Sequence, residues 1–182
     1  MDWHLTLWLT LQLGLAASAL FCVVIMGGAA LAPDALLHDY PPAIRERYVA
    51  LHGGKSARGA RVARLMGVGV GLVLTVTPVV TVALLRGRAP EEPGFWAGFT
   101  VGFGIFTLIN LVDLVLVDWL VFCTLRPAFF TLPGTEGMPE YRDLSFHWKV
   151  LVPRPVPVPL LLVPGYGVLV GLGTWLARVW TG

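Results

Sequence analysis

The stretch that decides the fold is GIFTLINLVDLVLVDWLVF, residues 104–122. It is apolar over nearly the length that a helix needs to cross a bilayer, about 20 residues, yet it contains Asp113 and Asp118. A carboxylate in hydrocarbon costs about 2.5–3.5 kcal/mol on insertion scales. We therefore expect each aspartate to have water, a cation, a polar partner or a chemical role.

The rest of the chain also has the composition of a membrane protein. Of the 182 residues, 56% are hydrophobic and only 13% are charged, whereas a soluble domain needs a charged surface. Four apolar stretches predict an all-α fold, a bundle of four transmembrane helices that forms a single domain over residues 1–182. The predicted helices are 5–31, 62–85, 95–125 and 158–180, and the long loops between them are 32–61 and 126–157.

Basic residues predict how the helices are oriented. Six Lys or Arg residues lie in or beside the first loop and four in the third, against three at the opposite helix ends. The positive-inside rule therefore places both long loops in the cytosol and both termini outside, in an inner or plasma membrane. These loops account for the net charge of +2, and no aromatic–basic pattern favours nucleic acid as a partner.

Glycines recur at every fourth position in or directly beside three of the predicted helices. They form the sets Gly67 and Gly71, then Gly94, Gly98 and Gly102, and finally Gly167 and Gly171. Such faces let helices approach closely in a membrane. They predict either packing within the chain or the interface of a homo-oligomer, and the sequence leaves both open.

Polar residues of the long loops are candidates to join the two aspartates in a cytosolic-facing site roofed by the third loop. On an α-helix Asp113 and Asp118 would be about 140° apart, so they are not expected to share a face, whereas Asn110 and Asp113 are. The predicted catalytic residues are Asp113, Asp118, Glu136 and His147. The predicted substrate contacts are Asn110, Arg45, Arg47, Arg126, Asp39 and Tyr141. The predicted ligands of a metal ion are Asp118, Glu136 and Asp143.

The residue types indicate several chemistries. Carboxylates are suited to Mg²⁺, arginines to a phosphate or carboxylate head group, and an acid in apolar surroundings to protonating an alkene. They predict an integral membrane enzyme that acts on a prenyl or other lipid-like substrate by acid or Mg²⁺-assisted chemistry, of the terpene-cyclase or prenyl-transfer type. Two alternatives stay open: a small proton- or cation-coupled transporter or channel, and a structural or accessory protein whose aspartates bond to neighbouring helices.

Three segments resemble known families. Asn110-x-x-Asp113 resembles the aspartate-rich helix of membrane prenyltransferases, which implies a Mg²⁺-bound diphosphate, although a second such motif is absent from this sequence. Arg45-Glu46-Arg47 with Ala50 and His52 is similar to the MAPEG family of glutathione-dependent membrane enzymes, but no Asn follows His52 at that family's spacing. Residues 110–149, with LPGTEG at 132–137 and Phe146-His147, resemble uncharacterised bacterial four-helix membrane proteins. This resemblance implies a membrane fold and brings no assigned activity.

Overall fold

The structure is a computed structural model and describes residues 2–89, 91–151 and 158–181. These residues form helices and the turns between them, with no strand in the described ranges. The α-helices are α1 (Trp3–Leu31), α2 (Pro42–His52), α3 (Ala57–Arg88), α4 (Phe95–Val112), α5 (Leu144–Leu151) and α6 (Val158–Thr181). Helix α4 continues without a break into a π-helix, Asp113–Leu125. Short 3₁₀ helices lie at Pro33–Asp39, Ala128–Phe130 and Pro139–Arg142.

Four of the described helical segments are long and apolar enough to cross a membrane. They are Trp3–Leu31, Ala57–Arg88, Phe95–Leu125 and Leu161–Trp180. The prediction of an all-α chain with four such helices is confirmed, and the helix bounds differ from the predicted ones by five residues or fewer. Large apolar side chains such as Leu65, Val79 and Val23 are exposed on these helices. A protein in water rarely exposes such a surface, whereas a bilayer would cover it.

The contacts within the chain define two compact units. The first unit consists of Met1–Leu20, Gly71–Leu111 and Leu151–Gly182. The second unit consists of Phe21–Val70 and Val112–Val150. Because α1, α3 and the third span each contribute residues to both units, this division does not test the predicted single domain, which stays a prediction.

In the first unit, glycines allow α4 and α6 to pack closely. A Cβ atom added to Gly102 would lie 2.7 Å from Val170 Cβ, and one added to Gly98 would lie 2.7 Å from the Val170 carbonyl oxygen. On the other helix, a Cβ added to Gly171 would lie 2.9 Å from the Phe95 carbonyl oxygen. Two of the predicted glycine faces therefore pack against each other within the chain.

The glycine face of α3 differs from the other two. A Cβ atom added to Gly67 or Gly71 would meet no described atom within 4 Å. This face has room for lipid or for another helix, and a homo-oligomer through it stays a prediction.

In the second unit, the first long loop contains helix α2. Pro42 stands in its first turn, where a missing N–H is tolerated, and Gly53, with φ 75°, ends it and donates its N–H to the Val49 carbonyl. Asp34 then accepts a 2.6 Å hydrogen bond from the Ser56 N–H, one residue before α3 begins.

Buried aromatic side chains join the first and third loops of the second unit. Tyr40 donates its hydroxyl to the Phe130 carbonyl at 3.0 Å, and its ring packs edge-on against Phe122 and Tyr141. The Tyr141 hydroxyl accepts the Leu132 N–H at 3.0 Å. The third loop is therefore an ordered layer up to Leu151, and the end of that predicted loop, residues 152–157, lies outside the described residues.

Candidate functional site

The third candidate membrane-spanning segment, Phe95–Leu125, changes helix type at the first aspartate. From Asp113 to Leu125 its hydrogen bonds connect residues five apart instead of four. The Arg126 N–H donates to the Val121 carbonyl at 2.8 Å, and the Thr124 hydroxyl reaches back to the Trp119 carbonyl at 2.7 Å. A π-helix of 13 residues is long, since most are single turns, and such turns are frequent at functional sites.

The wider turn brings the two aspartates onto one face. Residues five apart lie nearly one above the other when each turn holds about one residue more than an α turn. The prediction that Asp113 and Asp118 face about 140° apart was therefore wrong, because it assumed an α-helix throughout. Both side chains line the same cavity in the second unit.

This cavity, which we name the aspartate cavity, has a volume of about 260 Å³. That volume is just below the usual range for small-molecule pockets, about 300–1,000 Å³. Its polar lining consists of His38, Asp39, Asp113, Asp118 and His147. Its apolar and aromatic lining consists of Phe21, Ile25, Leu36, Tyr40, Val117, Phe122, Phe130 and Phe146.

His147 and Asp118 form a pair at this cavity. The imidazole Nδ1 lies 3.1 Å from Asp118 Oδ1, and the histidine side chain is only 8% exposed. The ring packs edge-on against Phe122 and Phe146, at 5.0 and 5.1 Å between centroids. Its Nε2 atom is buried and has no hydrogen-bond partner among the described residues. A buried nitrogen without a hydrogen bond lowers the stability of the fold. This atom is therefore suited to form a hydrogen bond with a ligand or to exchange a proton with one.

Helix α5 holds His147 in place. Asp143 caps its first turn by accepting the Ser145 N–H at 2.9 Å and the Ser145 hydroxyl at 2.6 Å. The serine hydroxyl, more than any other neighbour, holds the pKa of Asp143 below its ordinary value. Trp119 of the π-helix donates its indole N–H to the Leu144 carbonyl at 3.2 Å. The residue predicted as a metal ligand thus positions the helix that carries His147.

The other two acids of the cavity have few polar partners. No described residue donates a hydrogen bond to the half-buried Asp113 carboxylate. Asp39 is the last residue of the 3₁₀ helix Pro33–Asp39, and partial desolvation raises its pKa, although the charges of Lys55 and His38 act in the opposite direction. Both side chains are therefore available to a ligand.

Two predicted site residues of the third loop do not line this cavity. Glu136 is exposed, and both its carboxylate oxygens accept the Gly134 N–H at 3.0 Å. Backbone N–H groups, its own first and that of Gly134 second, lower its pKa. Tyr141 is buried, its hydroxyl is bonded to Thr135 at 2.8 Å, and burial raises its pKa. Both residues serve the folding of the loop in this structure.

The predicted head-group contacts also lie elsewhere. Asn110 donates its amide to the Phe106 carbonyl at 2.8 Å within α4, and neither Arg45 nor Arg47 on α2 lines the cavity. Arg126 and Glu136 line a separate, more open cavity of about 590 Å³. A further cavity, of about 520 Å³ in the first unit, is lined by Asp2, Glu91 and Glu92 among others and contains none of the predicted site residues.

The predicted metal ligands are likewise separated. Only Asp118 of the set Asp118, Glu136 and Asp143 lines the aspartate cavity. Within residues 2–89, 91–151 and 158–181, no group of three His, Cys, Asp or Glu side chains is arranged to hold a metal ion. A Mg²⁺ ion as cofactor stays a prediction.

Arg126 ends the π-helix in the left-handed conformation, with φ 48° and ψ 56°. This conformation costs a residue with a Cβ atom about 1–2 kcal/mol, and glycine adopts it freely. We expect Arg126→Gly to raise the free energy of unfolding by about 1 kcal/mol. The matched variant Thr124→Gly, inside the helix, should lower it by about 1 kcal/mol. Thermal unfolding in detergent measures both, and a loss of stability in Arg126→Gly would contradict the argument.

Several features of the site have no clear signal in the sequence. The π-helix is one, and the cavity walls formed by Phe21 and Phe122 are another, because both residues read as ordinary apolar positions of a membrane helix. His38 has a signal, since it precedes Asp39 in the loop that faces the predicted site. Asp118 and His147, which were predicted to belong to one site, lie 3.1 Å apart and line one cavity, and their catalytic role stays a prediction.

Comparison with known proteins adds no assignment. No protein-family model, curated protein or solved structure matches this chain. The aspartate cavity is therefore the basis for a proposed function.

Proposed function

We propose that the chain is an integral membrane enzyme that transfers protons to and from a prenyl or other lipid-like substrate in the aspartate cavity. The observation that carries this proposal is the unpaired Nε2 of His147, buried in a largely aromatic cavity while Nδ1 is paired with Asp118. The orientation expected from the basic loops would place the cavity on the cytosolic side of an inner or plasma membrane.

In the Asp118–His147 pair, the aspartate orients the histidine ring and the histidine transfers the proton. Asp118 accepts the Nδ1–H of His147 and so fixes the ring, which leaves Nε2 as the atom that exchanges a proton with the substrate. Asp113 is the second acid or base of the same cavity. When one group gives a proton to a carbon of the substrate and the other removes one from another carbon, the site returns to its starting charge. An isomerisation or cyclisation of an unsaturated lipid has this balance.

The apolar lining supports a lipid-like substrate. Phe21, Ile25 and Val117 offer hydrocarbon contacts, and the rings of Phe122 and Phe146 flank the histidine. Aromatic faces also attract positive charge that develops during a reaction. A prenyl chain combines the required apolar surface with double bonds that accept a proton.

The proposal is tested by what the protein carries when purified. Wild-type protein, the double variant Asp113→Asn/Asp118→Asn and the surface control Glu46→Gln are prepared in the same detergent and extracted for lipids and metals. We expect an isoprenoid or other lipid to accompany wild type and control and to be lost from the double variant. Identical extracts, together with lower stability of the double variant, would mean that the aspartates are structural and would end the enzyme proposal.

The same samples test the two other readings of the site. A divalent metal that is lost with the aspartates would support the Mg²⁺-assisted form of the chemistry. A transporter or channel is the alternative function, because acids and histidines in a membrane cavity also relay protons. Proton flux into liposomes that contain wild type, and not the double variant, would favour transport over catalysis.

A further inference from the structure

Acidic side chains outnumber the two histidines, His38 and His147, in the polar lining of the aspartate cavity. Three carboxylates line it, from Asp39, Asp113 and Asp118, and no Lys or Arg stands among the described lining residues. We infer that the cavity selects a neutral lipid whose reaction passes through a positively charged centre, and that it rejects a diphosphate or other anionic head group. The inference rests on the proposed function and deepens it, because it names the substrate class of the same site.

Charge is the first argument. Carboxylates that share a small cavity repel one another, so each needs a proton or a nearby positive charge. A bound diphosphate would add negative charge where no guanidinium is available to balance it. The three arginines predicted to contact such a head group are elsewhere: Arg45 and Arg47 lie on α2, and Arg126 lines the separate cavity of about 590 Å³.

The unpaired nitrogen of His147 is the second, independent argument. An acidic cluster at a surface is ordinarily satisfied by water, but this histidine is 8% exposed and its Nε2 atom has no described partner. His147 lines the same cavity as the three carboxylates. The three carboxylates therefore belong to a binding site in which the Nε2 atom of His147 is unpaired and able to bond to a ligand.

The aromatic lining is the third argument. Five rings line the cavity, those of Phe21, Tyr40, Phe122, Phe130 and Phe146. The Tyr40 hydroxyl already donates a hydrogen bond to the Phe130 carbonyl. We therefore expect a ligand in the cavity to contact the ring of Tyr40 and not its oxygen. Aromatic faces and carboxylates both stabilise a positive centre, and both are unfavourable next to a phosphate.

Three probes with one hydrocarbon chain and different head groups test the inference. They are hexyltrimethylammonium, 1-hexanol and hexyl phosphate, each titrated calorimetrically into the purified protein in a non-ionic detergent. We expect the ammonium compound to bind about tenfold or more tightly than the alcohol, and the phosphate not to bind. Asp113→Asn and Asp118→Asn should each remove most of the preference for the ammonium compound, while Glu46→Gln keeps it.

The outcomes separate this inference from the proposed function. Hexyl phosphate binding as tightly as the ammonium compound would overturn the inference, and so would equal binding of ammonium compound and alcohol. In either case, the proposed function would still hold if the lipid content of the extracts and the turnover still depend on the cavity residues. The substrate would then belong to another class. Binding of none of the three probes, with extracts unchanged in the aspartate variants, would overturn both.

Discussion

His147→Gln is expected to lower kcat/KM for the natural substrate by about 10²–10⁴-fold, the usual contribution of a positioned acid or base. The glutamine amide can occupy the place of the ring, but it cannot exchange a proton at the position of Nε2. Because the apolar walls of the cavity stay in place, the loss should fall on kcat more than on KM. Asp118→Asn should act in the same direction, since an amide cannot orient the imidazole as a carboxylate does.

The assay follows which members of a mixture of prenyl alcohols, polyenes and membrane lipids are consumed by the purified protein, with detection by mass spectrometry. His52→Gln is the matched control, because that ring bonds to the Pro133 carbonyl and does not line the aspartate cavity. Unchanged elution on gel filtration and unchanged thermal unfolding would show that the variants are folded. His147→Gln with the turnover of the control would contradict a catalytic role for this residue.

Gly102→Leu is expected to lower the stability of the first unit substantially. Even a Cβ atom there would lie 2.7 Å from Val170 Cβ and 3.2 Å from the Tyr166 carbonyl oxygen. A leucine must therefore separate α4 from α6, and overpacking of this kind costs about 1–3 kcal/mol or more. The melting temperature should fall by about 3–10 °C.

Gly71→Leu is the matched control, because it makes the same change on α3. A Cβ atom added to Gly71 would meet no described atom within 4 Å. We expect its melting temperature to stay close to that of wild type, and Gly102→Ala to lie between the two. Differential scanning fluorimetry in one detergent compares all four proteins. Equal falls for Gly71→Leu and Gly102→Leu would show that the close packing of α4 and α6 is not the cause.

The helices could be predicted from the sequence because each prediction averages many residues. Apolarity summed over about 20 positions identifies a membrane-spanning helix even when single residues are ambiguous. Pro42 and Gly53 stand at the ends of α2 and act through their own backbone geometry. These signals are local, and tertiary contacts did not reverse them.

The site was less predictable because it depends on which residues meet across the chain. Glu136 and Asp143 were plausible ligands by residue type, but local backbone and serine groups already bind their carboxylates. Asp113 and Asp118 were expected on different faces because hydropathy does not distinguish an α turn from a π turn. His147 and Asp118 were assigned to one site from the predicted topology alone, and in the structure their side chains are paired.

The helix type also bears on how relatives of this chain would be recognised. A relative that lacks one residue between the two aspartates would carry them four apart on an ordinary α-helix, where about one turn separates them. It would still present both carboxylates to one cavity, with a different motif in its sequence. We therefore expect relatives to carry the two acids either five residues apart on a π-helix or four residues apart on an α-helix.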